Sequence, residues 1–226
     1  MKELERLAPA ASLRGAWCRS SLAWSSLFEA ISLVTPALET FFIRAVSEAT
    51  RACPPSPLRA RTDAFVREEA RHSAAHRRLN RALVAHLDAP PPALGWAEAA
   101  LALASARMPL ATRLRCVELM EQGSELFSTA YLRLESRLAI ACPYARTLFA
   151  VHAREEIGHV SVIRALPCDG PAPGRVKTAM IGLALVAAGA AYLSLAVPWI
   201  ALRKRRSISR PRPDAHPSRD PQEPNP

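Results

Sequence analysis

The sequence predicts an all-α protein: a four-helix bundle with one extra short helix, followed by a separate C-terminal hydrophobic helix. Three observations lead there. Ala, Leu, Arg and Glu recur along the 226 residues while aromatics make up 6% and glycines number 8, a vocabulary that favours helices over strands. Prolines cut the chain into blocks, because proline cannot continue a helix interior and biases the preceding residue away from helical geometry. Each long block carries apolar residues at spacings of three and four, the stripe an amphipathic helix needs to face a core.

Residues 1–19 form a lead-in. The first helix spans 20–51 and ends before Pro54, Pro55 and Pro57. The second, 58–87, stops at Pro90 to Pro92, and a short helix, 94–107, stops before Pro109. The block 110–140 ends at Pro143, and 144–166 makes a last bundle helix before a loop with Pro167, Asp169, Gly170, Pro171, Pro173 and Gly174. Long amphipathic helices with short connections close most economically as an antiparallel bundle, so 20–170 is expected to be one domain.

Beyond it the composition changes twice. From 176 to 202 only Lys177 is charged, a run longer than the ~20 residues a transmembrane helix needs. Tyr192 and Trp199 would sit at its interfaces and the cluster Arg203, Lys204, Arg205, Arg206 would act as a stop, with Pro198 a place where the run could break. A further buried bundle helix is the alternative, which a run of this length, apolar all round, does not favour. Residues 203–226, rich in Arg, Pro, Ser and Asp, are expected to be a disordered basic tail.

In the second helix Phe65, Glu69, His72, His76, Leu79 and Leu83 form one stripe, so a carboxylate and two imidazoles replace apolar residues in the middle of a core face. Burying them without strong partners costs several kcal/mol, so something must compensate them. Glu69 and His72, three residues apart, aim an oxygen and a ring nitrogen at one point, which lets a single helix supply two metal ligands. The last helix repeats the device with Phe149, His152, Glu156, His159, Ile163 and Leu166. His152 precedes Glu156 by one turn as His76 follows His72. Each of these two is either a direct ligand or a hydrogen-bond partner of one.

A two-metal carboxylate site needs one more Glu from each of the other two helices. Glu39 sits among Phe42, Ile43 and Val46; the helix from Leu110 offers Leu114, Glu118, Glu121, Glu125, Ser128 and Leu132 on one stripe, so Glu121 or Glu125 fills the role. Glu118 reads as an ion-pair partner of Arg115. Glu68 and Glu155, about 100° round their helices from the ligand glutamates, read as solvent-facing residues or outer partners. His86 and His216 read as a helix-end and a tail residue.

The segments FVREEARHSAAHRRLN (65–80) and VHAREEIGHVSV (151–162) resemble signature segments of a bacterial family described as predicted metal-dependent hydrolases, and PALETFF (36–42) and ELFSTA (125–130) resemble its other landmarks. The resemblance covers roughly the first 166 residues and implies a ferritin-like bundle. Carried over position by position it implies a ligand set of Glu39, Glu69, His72, Glu125, Glu156 and His159, with His76 and His152 also on family motif positions. Leu126 stands where the family often has a histidine, and Gly158 where it often has an acidic residue.

Two metal ions are therefore expected. Carboxylate-rich sites with two histidines suit iron, or manganese, better than zinc. Iron in a dry bundle suits an oxidase or oxygenase acting on an apolar small molecule; hydrolysis by metal-bound water is the alternative enzyme reading, and metal storage or sensing the non-enzymatic one. Formal net charge is +10, concentrated after the apolar run, which points to an anionic membrane surface. No RNA-binding motif or zinc finger is visible, so no nucleic-acid partner is expected. Five widely spaced cysteines without C-x-x-C fit a reducing compartment. The start of the chain, with Glu3 and Glu5, lacks the pattern of a signal peptide, so a membrane-associated protein with a cytoplasmic metal domain is expected.

Overall fold

Serines start the first two long helices. Ser21 caps α1 (Leu22–Thr50) by accepting from the Trp24 N–H, and Ser56 caps α2 (Pro57–Leu87) by accepting from the Arg59 N–H at 3.1 Å, with Pro57 in the first turn where no amide partner is missed. Asp88 and Ala139, both with positive φ, end α2 and α4 in the left-handed conformation that closes many helices. The remaining elements are α3 (Pro92–Arg107), α4 (Leu110–Leu138), α5 (Pro143–Glu155), α6 (His159–Arg164) and α7 (Arg175–Ser209). The computed structural model describes residues 4, 6–9, 13, 15–51, 54–166 and 173–209. Cys53, Cys168, His216 and the tail beyond 209 lie outside them.

Among the described residues the protein is all-helical. α1 packs along α2, α4 packs on α5 and α6, and α2 meets α5 and α6, which makes the four-helix bundle; α3 and α7 lie outside against α1. The core divides along the bundle axis. Trp17, Phe28, Leu79, Leu83, Tyr131, Tyr144, Leu148 and Phe149 fill one end, and Phe41, Phe42, Val46, Phe65, Leu114, Val117 and Ile163 fill the other. The polar layer described below lies between them, because on α1, α2, α4 and α5–α6 alike the chemistry-bearing residues fall between members of the two clusters. Cys18, Cys116 and Cys142 are buried free thiols, as the sparse cysteine pattern implied.

Three expectations need correction. The helix over 144–166 is two helices, separated at Gly158 with φ of 104°, a value that side-chain-bearing residues rarely adopt. No atom lies within 4 Å of a Cβ at that position, so Gly158→Ala should cost only the backbone strain, about 1–2 kcal/mol, or roughly 2–8 °C in Tm. A thermal melt checks this, and a variant as stable as wild type would mean that the position carries no such strain.

The described part of the lead-in joins the core. Leu4, Leu13, Trp17 and Cys18 are buried in the cluster with Phe28. The C-terminal helix neither stands apart nor breaks at Pro198. It runs on to Ser209 and packs along the bundle through Ile181, Leu185, Tyr192, Ala196 and Ile200. The Tyr192 hydroxyl donates to the Ala30 carbonyl at 2.8 Å. Lys204, expected to be part of a solvated stop cluster, is 2% exposed and paired with Glu29 of α1, which is fully buried and also accepts from the Trp17 indole N–H. The Glu29 carboxylate and the open side of the bundle draw it in: a charge already buried on α1 needs a cation, and Lys204 ends the inward row Tyr192, Ala196, Ile200, Lys204.

Candidate metal centre

The polar layer gathers four buried carboxylates and four imidazoles. Glu39 comes from α1, Glu69, His72 and His76 from α2, Glu121 from α4, and His152, Glu156 and His159 from the broken last helix. Glu69 and Glu121 are wholly buried, and Glu39 and Glu156 are 2% exposed. Glu69 Oε1 lies 3.2 Å from His159 Nδ1 and 3.7 Å from His72 Nδ1, at the middle of the group. His159 Nδ1 also faces Glu156 Oε2 at 3.5 Å and Glu121 Oε2 at 3.6 Å. Donor atoms of Glu39, Glu69 and His72 fall within 4.8 Å of one another, as do those of Glu69, Glu156 and His159, so the two sets meet at Glu69.

Every residue of the expected ligand set is here except Glu125. It is half-buried and joins no hydrogen bond or ion pair among the described residues, while Glu121, one turn earlier, points inward. The buried positions of α4 include Leu114, Val117, Glu121, Ser128 and Tyr131, and Glu121 lies nearer the middle of that stripe. Leu126 is 74% exposed, so the position where the family often has histidine lies outside the layer. Glu118 pairs with Arg115 as expected, and also with Arg164 at 2.9 Å.

The first glutamate of each Glu-Glu-x-x-His run holds the other run's histidine. Glu155 Oε2 accepts from His72 Nε2 at 2.7 Å, and Glu68 Oε2 lies 3.3 Å from His159 Nε2. With Nε2 turned outward to these carboxylates, each ring presents Nδ1 to the interior, which is how partly exposed carboxylates orient and strengthen a metal-ligating imidazole. The sequence carries the signal in the duplicated Glu-Glu, 68–69 and 155–156, but not the exchange between helices. Rings of His72 and His152 stack at 4.2 Å.

Without an ion, the layer is electrostatically unsettled. Burial pushes Glu121 up to about 8 against the pull of His159, and burial together with Glu69 holds Glu39 well above the usual carboxylate range. Burial works against the charge on His72, but Glu155 and Glu69 outweigh it and raise its pKa to about 9; His159 is raised further by Glu121, Glu156 and Glu69. Burial also opposes charge on Glu69 and Glu156, yet the facing imidazoles hold both below their ordinary value. Burial, reinforced by His152 and His72, keeps His76 neutral. Both oxygens of Glu39, Glu69 and Glu121, Glu156 Oε2, and Nδ1 of His72 and His159 are buried with no hydrogen-bond partner of good geometry. Inward-facing ligand atoms left unpaired in this way fit bound metal ions, which would satisfy them.

A pH dependence follows. His72, raised from 6.5 to about 9, contributes stability that is complete below pH 6.5 and lost as pH rises through 9; Glu121, raised from 4.5 to about 8, loses its contribution in the same direction as pH rises through 8. Glu69 and Glu156, lowered, matter only below pH 4.5. Chelator-treated protein should therefore lose stability, read as a falling Tm, as pH rises from 6.5 to 9, and metal-loaded protein, whose ligands are already deprotonated, should not. Melts of the two forms at both pH values check it; parallel behaviour would contradict it.

A bundle of helices closed around buried carboxylates and imidazoles in this arrangement defines a metal-binding helical protein. The chain belongs to the family described as predicted metal-dependent hydrolases, whose model matches residues 6–209. No curated protein and no solved structure matches it.

Proposed function

We propose that the chain is a two-metal carboxylate enzyme on a ferritin-like bundle, with one ion held by Glu39, Glu69 and His72 and the other by Glu69, Glu121, Glu156 and His159. The observation that carries the reading is the set of inward-facing carboxylate oxygens without donors in a layer closed at both ends by Phe and Leu side chains. Four carboxylates with two Nδ1 imidazoles favour iron, with manganese or zinc as alternatives, and iron there would supply electrons and open coordination positions for oxygen. The chain's own residues do the rest. Glu68 and Glu155 orient the two imidazoles, and Phe41, Phe42, Phe65 and Phe149 keep bulk water out.

The reaction that suits such a dry site is oxygen-dependent oxidation of an apolar small molecule. An open groove of about 700 Å³ between α1, α2 and α3, lined by Leu33, Pro36, Val84 and Leu94 together with Arg77, Arg81 and Glu98, is where such a substrate would dock. A second reading, hydrolysis by a metal-activated water, is favoured by the family description. Protein loaded with ferrous ion under nitrogen and then exposed to air decides between them. Rapid oxygen consumption, abolished in Glu69→Ala, supports oxidation. Ester or amide turnover with zinc or manganese and no oxygen uptake with iron overturns it for hydrolysis.

Membrane association belongs to the same proposal. α1 and α7 are both long and apolar enough to cross a membrane, but α1 is the buried centre of the bundle and carries Glu29 and Glu39. α7, of mean hydropathy 2.1, turns Val176, Met180, Leu183, Val186, Leu195 and Leu202 outward. Trp96 and Leu103 of α3 add to the apolar surface. Such an unbroken apolar face suits lipid. The substitutions Met180→Lys, Leu183→Lys and Val186→Lys together should move the protein from the membrane to the soluble fraction; a wild-type chain already soluble without detergent would refute the assignment.

A further inference from the structure

A third cluster lies one turn along the bundle from the pair: Glu39, His76 and His152, with donor atoms within 4.8 Å of one another. Its ring protonation is set from a proline. Pro36 lies inside α1 and has no N–H, so the Ser32 carbonyl one turn earlier loses its helical partner. Asn80 of α2 replaces it, donating from Nδ2 to that carbonyl at 2.8 Å. Its amide is thereby oriented, and Oδ1 accepts from the Ser32 hydroxyl at 2.7 Å. The Ser32 oxygen in turn accepts from His76 Nδ1–H at 2.8 Å, which leaves a lone pair on His76 Nε2.

His152 is oriented from the other side. Its Nε2 faces Glu156 Oε1 at 2.6 Å, so Nδ1 is the nitrogen turned toward His76. The two nitrogens face each other at 2.9 Å. Glu39, 2% exposed, brings a carboxylate whose oxygens have no donor of good geometry. Three ligand atoms thus converge on one region, where a cation would compensate the buried Glu39 carboxylate. The 2.9 Å separation is also close to the ~3.0 Å between two nitrogens held at right angles on an ion at ~2.1 Å from each.

The geometry points to a third metal position, where His76 Nε2, His152 Nδ1 and a Glu39 oxygen bind a divalent first-row ion and the Ser32–Asn80 pair holds His76 in the ligating tautomer. Two imidazoles and one carboxylate leave coordination positions open on such an ion. The position rests on the two-metal reading, since Glu39 serves both.

The test counts ions on the full chain. Apo-protein is loaded with excess Zn²⁺, desalted and analysed, and anomalous diffraction at the zinc edge locates what is bound. Wild type should hold three ions per chain, with one peak between His76 and His152, and His76→Leu should hold two. Ser32→Ala and Asn80→Leu, which leave all ligands in place, should weaken the third ion alone by about 10–100-fold. Two ions in wild type with none between the rings would mean that a shared proton fills the gap, and overturns the third position while leaving the pair intact. Three ions retained in His76→Leu also overturns it, and no bound ion in wild type overturns the pair itself.

Discussion

Glu69→Ala should cost the protein both ions of the pair. Glu69 is the carboxylate common to both ligand groups, and its Oε1 lies within 3.7 Å of Nδ1 of both His72 and His159. Removing it takes one ligand from each ion and, at the same stroke, the group that bridges them. Variants of the other ligands should be more selective. Glu121→Ala should weaken the ion beside His159 and spare the one beside His72, since the Glu121 carboxylate faces His159 Nδ1 at 3.6 Å. Glu125→Ala should retain both ions, and Glu68→Ala or Glu155→Ala should lower affinity by about 10–100-fold without emptying the site, because they act through the far nitrogen of a ligand ring. Metal content per chain of the purified variants is the measurement. Equal retention in Glu69→Ala and Glu125→Ala would remove the basis of the two-metal assignment.

Lys204→Met should destabilise the full chain by about 3–5 kcal/mol, the usual result when one partner of a buried ion pair is deleted and the other charge is left behind. Glu29 is then a buried carboxylate with only the Trp17 N–H for support. The double variant Glu29→Gln with Lys204→Met should recover most of the loss, because Gln keeps an acceptor for Trp17 and removes the orphaned charge. Thermal unfolding of the three variants under one set of conditions measures it. A Lys204→Met protein as stable as wild type would show that α7 is not tied to the bundle through this pair.

These two sites differ in how far they could be read in advance. The two Glu-x-x-His pairs were legible because both ligands of each pair lie within one turn, where the geometry is fixed by the helix itself. Glu39 stood out as a carboxylate in an apolar stretch, and Glu29, in the run Phe28, Glu29, Ala30, carries the same signal without having been singled out. Lys204 was hidden in a run of four basic residues, although it continues the four-residue row of Tyr192, Ala196 and Ile200 that faces the bundle. The kink at Gly158 was hidden for a different reason: glycine inside an apolar stripe is compatible with a continuous helix, and only the fold shows the break just before His159, which faces Glu69 and Glu68 on α2.

The sequence by itself determined the helical class, the order of the elements and the residue types of the centre, since periodicity, proline placement and i to i+3 spacing are local properties of one chain segment. Only the tertiary structure decided which carboxylate of α4 enters the layer, that Glu68 and Glu155 each serve the other helix's histidine, and that α7 lies along the bundle with Lys204 buried. Those outcomes depend on how far each helix is rotated and shifted against its neighbours. That offset is set by how large side chains from different helices interlock at the two ends of the bundle, Phe28 and Phe149 at one and Phe41 and Phe65 at the other.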